Sequence, residues 1–119
     1  MKKLFLSLVL VVVSVNANAE IFEVVVSKFK QGLDQKKEVD LTKSLNQFLK
    51  DQPGFKSREV FYDEKQKMYV DVVAWTDEKS AKDAAVKAEK SPICQPVFSQ
   101  IEQQGMIFLH AKKMLNFKK

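Results

Sequence analysis

The chain has 119 residues, of which 45% are hydrophobic and 29% charged, and its formal net charge is +5. A single cysteine cannot close a disulfide within its own chain, and with one histidine it leaves no ligand spacing of the kind metal sites use. The basic residues are spread as Lys36-Lys37, Lys65, Lys67, Lys112-Lys113 and Lys118-Lys119, without interleaved aromatics, so the concentrated basic face that nucleic-acid binding requires is missing.

Lys2 and Lys3 precede an apolar run from Leu4 to Val13 that only Ser7 interrupts, and Ala17-Asn18-Ala19 offers small residues where a signal peptidase reads. An apolar core of about ten residues suits a signal peptide and is short of the roughly 20 that span a bilayer. The expectation is a leader over residues 1–19, cleaved after Ala19, and one domain over residues 20–119. That domain is expected in the periplasm or outside a bacterial cell. No second run of spanning length follows, so no stable membrane insertion is expected after leader cleavage, and no Cys follows the run to receive a lipid. A mature domain of this size without disulfides must rely on its core, and pairing with a second copy would enlarge it.

Ile21 to Lys30 is dense in β-branched and aromatic residues, with Val24-Val25-Val26 placing apolar side chains on both faces. The run predicts a central strand, closed by Gln31-Gly32. Asp34 then caps a helix over about residues 35–51, with Leu41, Leu45, Phe48 and Leu49 on one face. Pro53-Gly54 stops it. Two strand-like runs, 56–63 and 67–75, flank Glu64-Lys65-Gln66 as a hairpin. In the second run Met68, Val70, Val72 and Ala74 share one face; Tyr69, Asp71, Val73 and Trp75 share the other. A charge at Asp71 on such a face is either paired or set at a cavity. Thr76 or Asp77 caps a second helix whose inner face is Ala81, Ala84, Ala85 and Ala88, ended by Ser91-Pro92. A short helical turn through Pro96-Val97-Phe98 and a last strand over 106–114 complete the chain.

Strand, helix, Pro53-Gly54-Phe55, the Ser57-Arg58-Glu59 run, Val73-Ala74-Trp75-Thr76-Asp77 and the final strand follow in the order of a ferredoxin-like βαββαβ domain. In that order and spacing the chain resembles the antibiotic-biosynthesis-monooxygenase-like family of the dimeric α+β barrel superfamily, over nearly all of residues 20–114. The resemblance implies an α+β fold with a four-stranded antiparallel sheet and a homodimer formed through the open sheet faces. It also implies a small-molecule-binding role without a cofactor, or cofactor-independent monooxygenation of a phenolic or quinol-like substrate. Haem-degrading members carry an Asn early in the first strand, a Trp in the second helix and a His beyond it. This chain has Val24 or a neighbour, Ala84 and Cys94 at those places, and all three differ.

Five residues carry the chemical expectations. His110, the lone histidine, is a catalytic candidate because imidazole titrates near neutral pH, and Asp71 is its natural carboxylate partner if both face one side. Tyr69 and Trp75 are ligand-binding candidates as flat walls for an aromatic molecule, a role that for Trp75 is the alternative to its first reading as an anchor between sheet and helix. Cys94 is a candidate reactive thiol, although no charged neighbour in sequence supports a low thiol pKa. Glu23, Arg58 and Glu59 read as a solvated edge or a salt-bridged ladder, with a polar pocket as the alternative.

Overall fold

The computed structural model describes residues 19–119, so the expected leader, apart from Ala19, lies outside the described residues. The chain runs β1 (Ile21–Ser27), α1 (Gln35–Ser44), α2 (Asn46–Leu49), β2 (Phe55–Asp63), β3 (Met68–Trp75), α3 (Glu78–Glu89), α4 (Gln95–Phe98) and β4 (Ile107–Ala111). The four strands form one antiparallel sheet in the order β2-β3-β1-β4. This is the expected ferredoxin-like βαββαβ arrangement, and it puts the Val-rich β1 and β3 at the centre.

Because side chains alternate along a strand, register decides which residues share a face. Arg58, Val73, Glu23 and His110 align in one row across all four strands. Val60, Asp71, Val25 and Phe108 form the next row, with Tyr62, Tyr69 and Ser27 beyond it. The helices cover this face. Ile21, Val73 and Trp75 of the sheet pack there with Leu49 of α2 and Ala81 and Ala84 of α3. The opposite face carries Phe22, Val24, Val26, Val70, Val72, Phe61, Ile107 and Leu109, and among the described residues no helix covers it. Phe61, Ile107 and Leu109 remain 54, 48 and 52% exposed on it.

Several elements depart from their expected limits: β1 ends at Ser27 rather than Lys30, and β2 starts at Phe55 rather than 56. The first helix was expected unbroken over 35–51, but it breaks at Leu45, whose N–H turns to Thr42 O at 3.3 Å. In a continuous helix Asn46 N–H would bond Thr42 O; instead the Arg58 guanidinium donates to that carbonyl at 2.7 Å and to Asn46 Oδ1 at 2.8 Å. β3 starts at Met68 rather than 67, because Lys67 adopts φ +56°, outside strand geometry. β4 ends at Ala111, short of 114, because Ala111 pairs with Phe22 and β1 begins only one residue before it. The caps form as expected, with Asp34 Oδ1 accepting from Lys37 N–H at 2.8 Å and Asp77 Oδ1 from Ser80 N–H at 2.7 Å. Among the described residues no helix is long and apolar enough to cross a membrane.

Candidate functional site

Between the sheet and the helices lies a cavity of about 500 Å³, within the range of small-molecule sites. Its walls are mainly apolar: Phe29, Val25 and Val73 from the β1–β3 region, Leu45 and Phe48 from the first helical segment, Ala84, Ala85 and Ala88 from α3, and Val97 and Phe98 from α4. The alanines matter here by what they lack, since larger side chains at those positions would fill the space. Against this apolar lining, Glu23, Ser27, Arg58, Tyr69 and Asp71 supply the polar groups on the sheet floor.

Asp71 is held by Arg58 in a bidentate pair. Nε donates to Oδ1 at 3.0 Å and Nη2 to Oδ2 at 2.6 Å, with the guanidinium side chain 5% exposed. Fork-to-fork geometry of this kind fixes both partners and uses both carboxylate oxygens. The expected partnership of Asp71 with His110 is therefore not the one that forms. Both residues do lie on the helix-covered face, but β1 runs between β3, which carries Asp71, and β4, which carries His110, and His110 Nε2 meets Glu23 Oε2 of that intervening strand at 3.0 Å instead. The imidazole also packs edge-on against Phe108, with ring centroids 5.1 Å apart. His110 is not itself among the residues lining the cavity; Glu23 is, and it stands between the cavity and the imidazole.

Burial pushes the Glu23 carboxyl above its ordinary value, the His110 contact opposes that rise, and the Asp71 charge adds to it. Glu23 and Arg58 were expected at a solvated edge or in a salt-bridged ladder, with a polar pocket as the alternative. Each forms a cross-strand pair, Arg58 with Asp71 and Glu23 with His110, and both also line the cavity. The signal was legible in hindsight of register: in β1 the even-numbered side chains Phe22, Val24 and Val26 are all apolar, while Glu23 shares the odd face with Ile21 and Val25. A carboxylate on the buried face of a central strand requires a partner or a ligand. Glu59 projects to the other face and is exposed.

Tyr69 is 6% exposed, its hydroxyl donates to Glu38 Oε1 at 3.1 Å, and its ring meets Phe29 edge-on and Tyr62 at a tilt. Burial, followed by the Glu38 hydrogen bond and charge, pushes its phenol up from 10.0 to about 12. The unfolded phenol ionises near 10 and the folded one near 12, so folding stability is lost as pH rises through that interval. Thermal unfolding midpoints are expected to fall more steeply between pH 10 and 12 in the wild type than in Tyr69→Phe. Equal slopes in the two proteins would show that Tyr69 is not the group responsible.

Trp75 is 1% exposed, packs edge-on against Phe55 at 5.9 Å and lines the cavity, so it is both anchor and wall. Its indole Nε1 has no hydrogen-bond acceptor among the described residues. Cys94 also borders the cavity at 1% exposure, with burial pushing its thiol up and the Ser91 contact opposing that. This is the environment of a thiol kept protonated rather than of a thiolate nucleophile. Among the described residues no group of three or more His, Cys, Asp or Glu is arranged to hold a metal ion.

A four-stranded antiparallel sheet with helices on one face and a cavity between them defines a ferredoxin-like α+β domain, the fold that solved antibiotic biosynthesis monooxygenases share. Solved structures share it over nearly their whole length. A single-residue variant of SnoaB, a cofactor-independent oxygenase from Streptomyces nogalater, superposes with a TM-score of 0.68 at 14% identity, covering 84% of this chain and 98% of that one. A candidate antibiotic biosynthesis monooxygenase from Bordetella bronchiseptica gives 0.64 at 17% identity, over 82% and 99%. A conserved protein from Methanosarcina mazei Go1 gives 0.62 at 17% identity, over 82% and 95%. No family model and no curated protein matches the sequence. At these identities the likeness establishes the fold, and the site must be read from its own residues.

Proposed function

We propose that this chain is an exported domain of the antibiotic-biosynthesis-monooxygenase-like family that binds a flat aromatic small molecule between its sheet and its helices. The observation that carries this reading is the cavity of about 500 Å³, apolar in its walls, with Trp75 and Phe48 on its lining and a few polar groups converging on its floor. Export rests on the charged, apolar and small-residue pattern of residues 1–19. Intact-mass measurement of protein from the native host tests it: a mature chain beginning at Glu20 is expected, and a retained Met1–Ala19 segment would refute it.

The uncovered sheet face supports assembly as a homodimer, because an apolar face of this kind in a small domain is otherwise left to water. Light scattering at tens of micromolar, an order-of-magnitude choice for a stable interface, is expected to give twice the mass of the chain. A monomer there would remove the dimer.

Ligand binding is read through the single tryptophan. A flat aromatic ligand is expected to quench Trp75 fluorescence saturably, and Ala84→Leu, which extends a side chain into the cavity, is expected to weaken that binding at least tenfold (about 1.4 kcal/mol). A screen in which no aromatic quenches Trp75 would argue against the cavity as a site.

The second reading is cofactor-independent oxygenation of a phenolic or quinol-like substrate. It is favoured by the carboxylate–imidazole pair at the cavity and by the fold shared with SnoaB, described as a cofactor-independent oxygenase. An electron-rich carbanion reacts with oxygen directly, so such a site requires a base and a dry pocket. Oxygen uptake on adding a bound phenol supports this reading; binding without uptake leaves the non-enzymatic one.

A further inference from the structure

We infer that Glu23, held by His110, is the group that selects ligands in this cavity: it admits uncharged aromatics bearing an O–H or N–H donor and rejects carboxylates. The inference rests on the cavity being a binding site. Of the polar groups on its floor, most are already engaged. Arg58 divides its donors between Asp71, Thr42 O and Asn46, and both Asp71 oxygens accept from Arg58. The Tyr69 hydroxyl donates to Glu38.

Glu23 differs. Its Oε2 meets the imidazole, and no other side-chain hydrogen bond to it occurs among the described residues. The side chain is 13% exposed, and that residual surface belongs to a residue lining the cavity. A carboxylate has about four acceptor positions and no donor when ionised. In an apolar enclosure an acceptor left with one partner is costly, and a ligand donor relieves the cost through a charge-assisted hydrogen bond. A ligand carboxylate meets the opposite condition, with Glu23 and Asp71 on the sheet and Glu89 bordering the cavity from α3. Arg58 would attract it, but four of its five N–H donors are committed, and its charge is already paired with Asp71.

His110 acts through Glu23 as a positioning residue. It arrives from β4, directly across from Glu23 in the β1–β4 register, and Phe108 packs edge-on against its ring. A donor from the imidazole to Oε2 fixes the carboxylate's rotation and leaves Oε1 for the ligand.

Equilibrium dialysis of the wild-type protein against a naphthol, its O-methyl ether and the corresponding naphthoate tests the inference directly. The naphthol is expected to bind about tenfold tighter than the ether, the usual scale of one charge-assisted hydrogen bond, and the naphthoate weakest. In Glu23→Gln the naphthol advantage is expected to shrink, the ether to bind unchanged, and the naphthoate to bind better than in the wild type. His110→Ala is expected to reduce the naphthol preference, and His110→Gln, whose amide N–H still reaches toward Oε2, to keep it. Equal binding of naphthol and ether to the wild type would overturn the role of Glu23 while leaving the cavity a site. Binding of none of the three would overturn both.

Discussion

Arg58→Ala is expected to cost about 3–5 kcal/mol of folding stability, the range found when one partner of a buried ion pair is removed. The size follows from what stays behind. The Asp71 carboxylate would remain on the helix-covered face with neither of its two guanidinium donors. Thr42 O and Asn46 Oδ1 would lose theirs as well, and these two groups flank the break between α1 and α2. A domain of about 100 residues has roughly 5–15 kcal/mol in total, so the variant should be partly unfolded at moderate temperature. Urea denaturation measures the loss. Adding Asp71→Asn is expected to recover part of it, since the second change removes the unpaired charge. A cost below about 1 kcal/mol would place the pair with solvated surface bridges.

Gly54→Ala is expected to be comparably damaging, for a different reason. Gly54 lies between α2 and β2 at φ +81°, a conformation that L side chains rarely adopt. A Cβ there would collide with Ser80 Oγ and meet Ser80 Cβ at 2.5 Å and Thr76 Oγ1 at 2.7 Å. Thr76 N–H donates to Gly54 O at 2.8 Å, so the loop cannot withdraw without breaking the junction that starts α3. Backbone strain and overpacking together give a loss on the order of 4 kcal/mol. Gly105→Ala provides the control: its φ is also positive, at +80°, but nothing lies within 4 Å of the added Cβ. Gly105→Ala should cost no more than about 1–2 kcal/mol. Equal costs at the two sites would mean that backbone conformation, and not the contact with Ser80 and Thr76, sets the Gly54 requirement.

Much of the architecture is local in origin, which is why it could be read from the chain. Val24-Val25-Val26 disfavours helix through β-branching, Asp34 and Asp77 supply side-chain oxygens to orphan N–H groups, and Pro53-Gly54 ends the first helical stretch. Alternation along Met68–Trp75 put Tyr69, Asp71, Val73 and Trp75 on one face, and they all border the cavity. Those properties act within a few residues. The break at Leu45 does not, since it depends on a guanidinium thirteen residues away in sequence terms of another element, Arg58 on β2, competing for Thr42 O.

The site divides along the same line. The chain alone determined that a charge at Asp71 had to be paired or face a cavity, and that His110 was the one imidazole available. Only the tertiary structure decided the partners, because pairing depends on register: antiparallel alignment sets Glu23 opposite His110 and leaves Asp71 to Arg58. Sequence periodicity specifies which side of its own strand a residue occupies. It says nothing about which strand lies alongside, or which of the two sheet faces the helices will cover. Burial of Glu23 follows from those two decisions, and its carboxyl rises above the ordinary range for that reason.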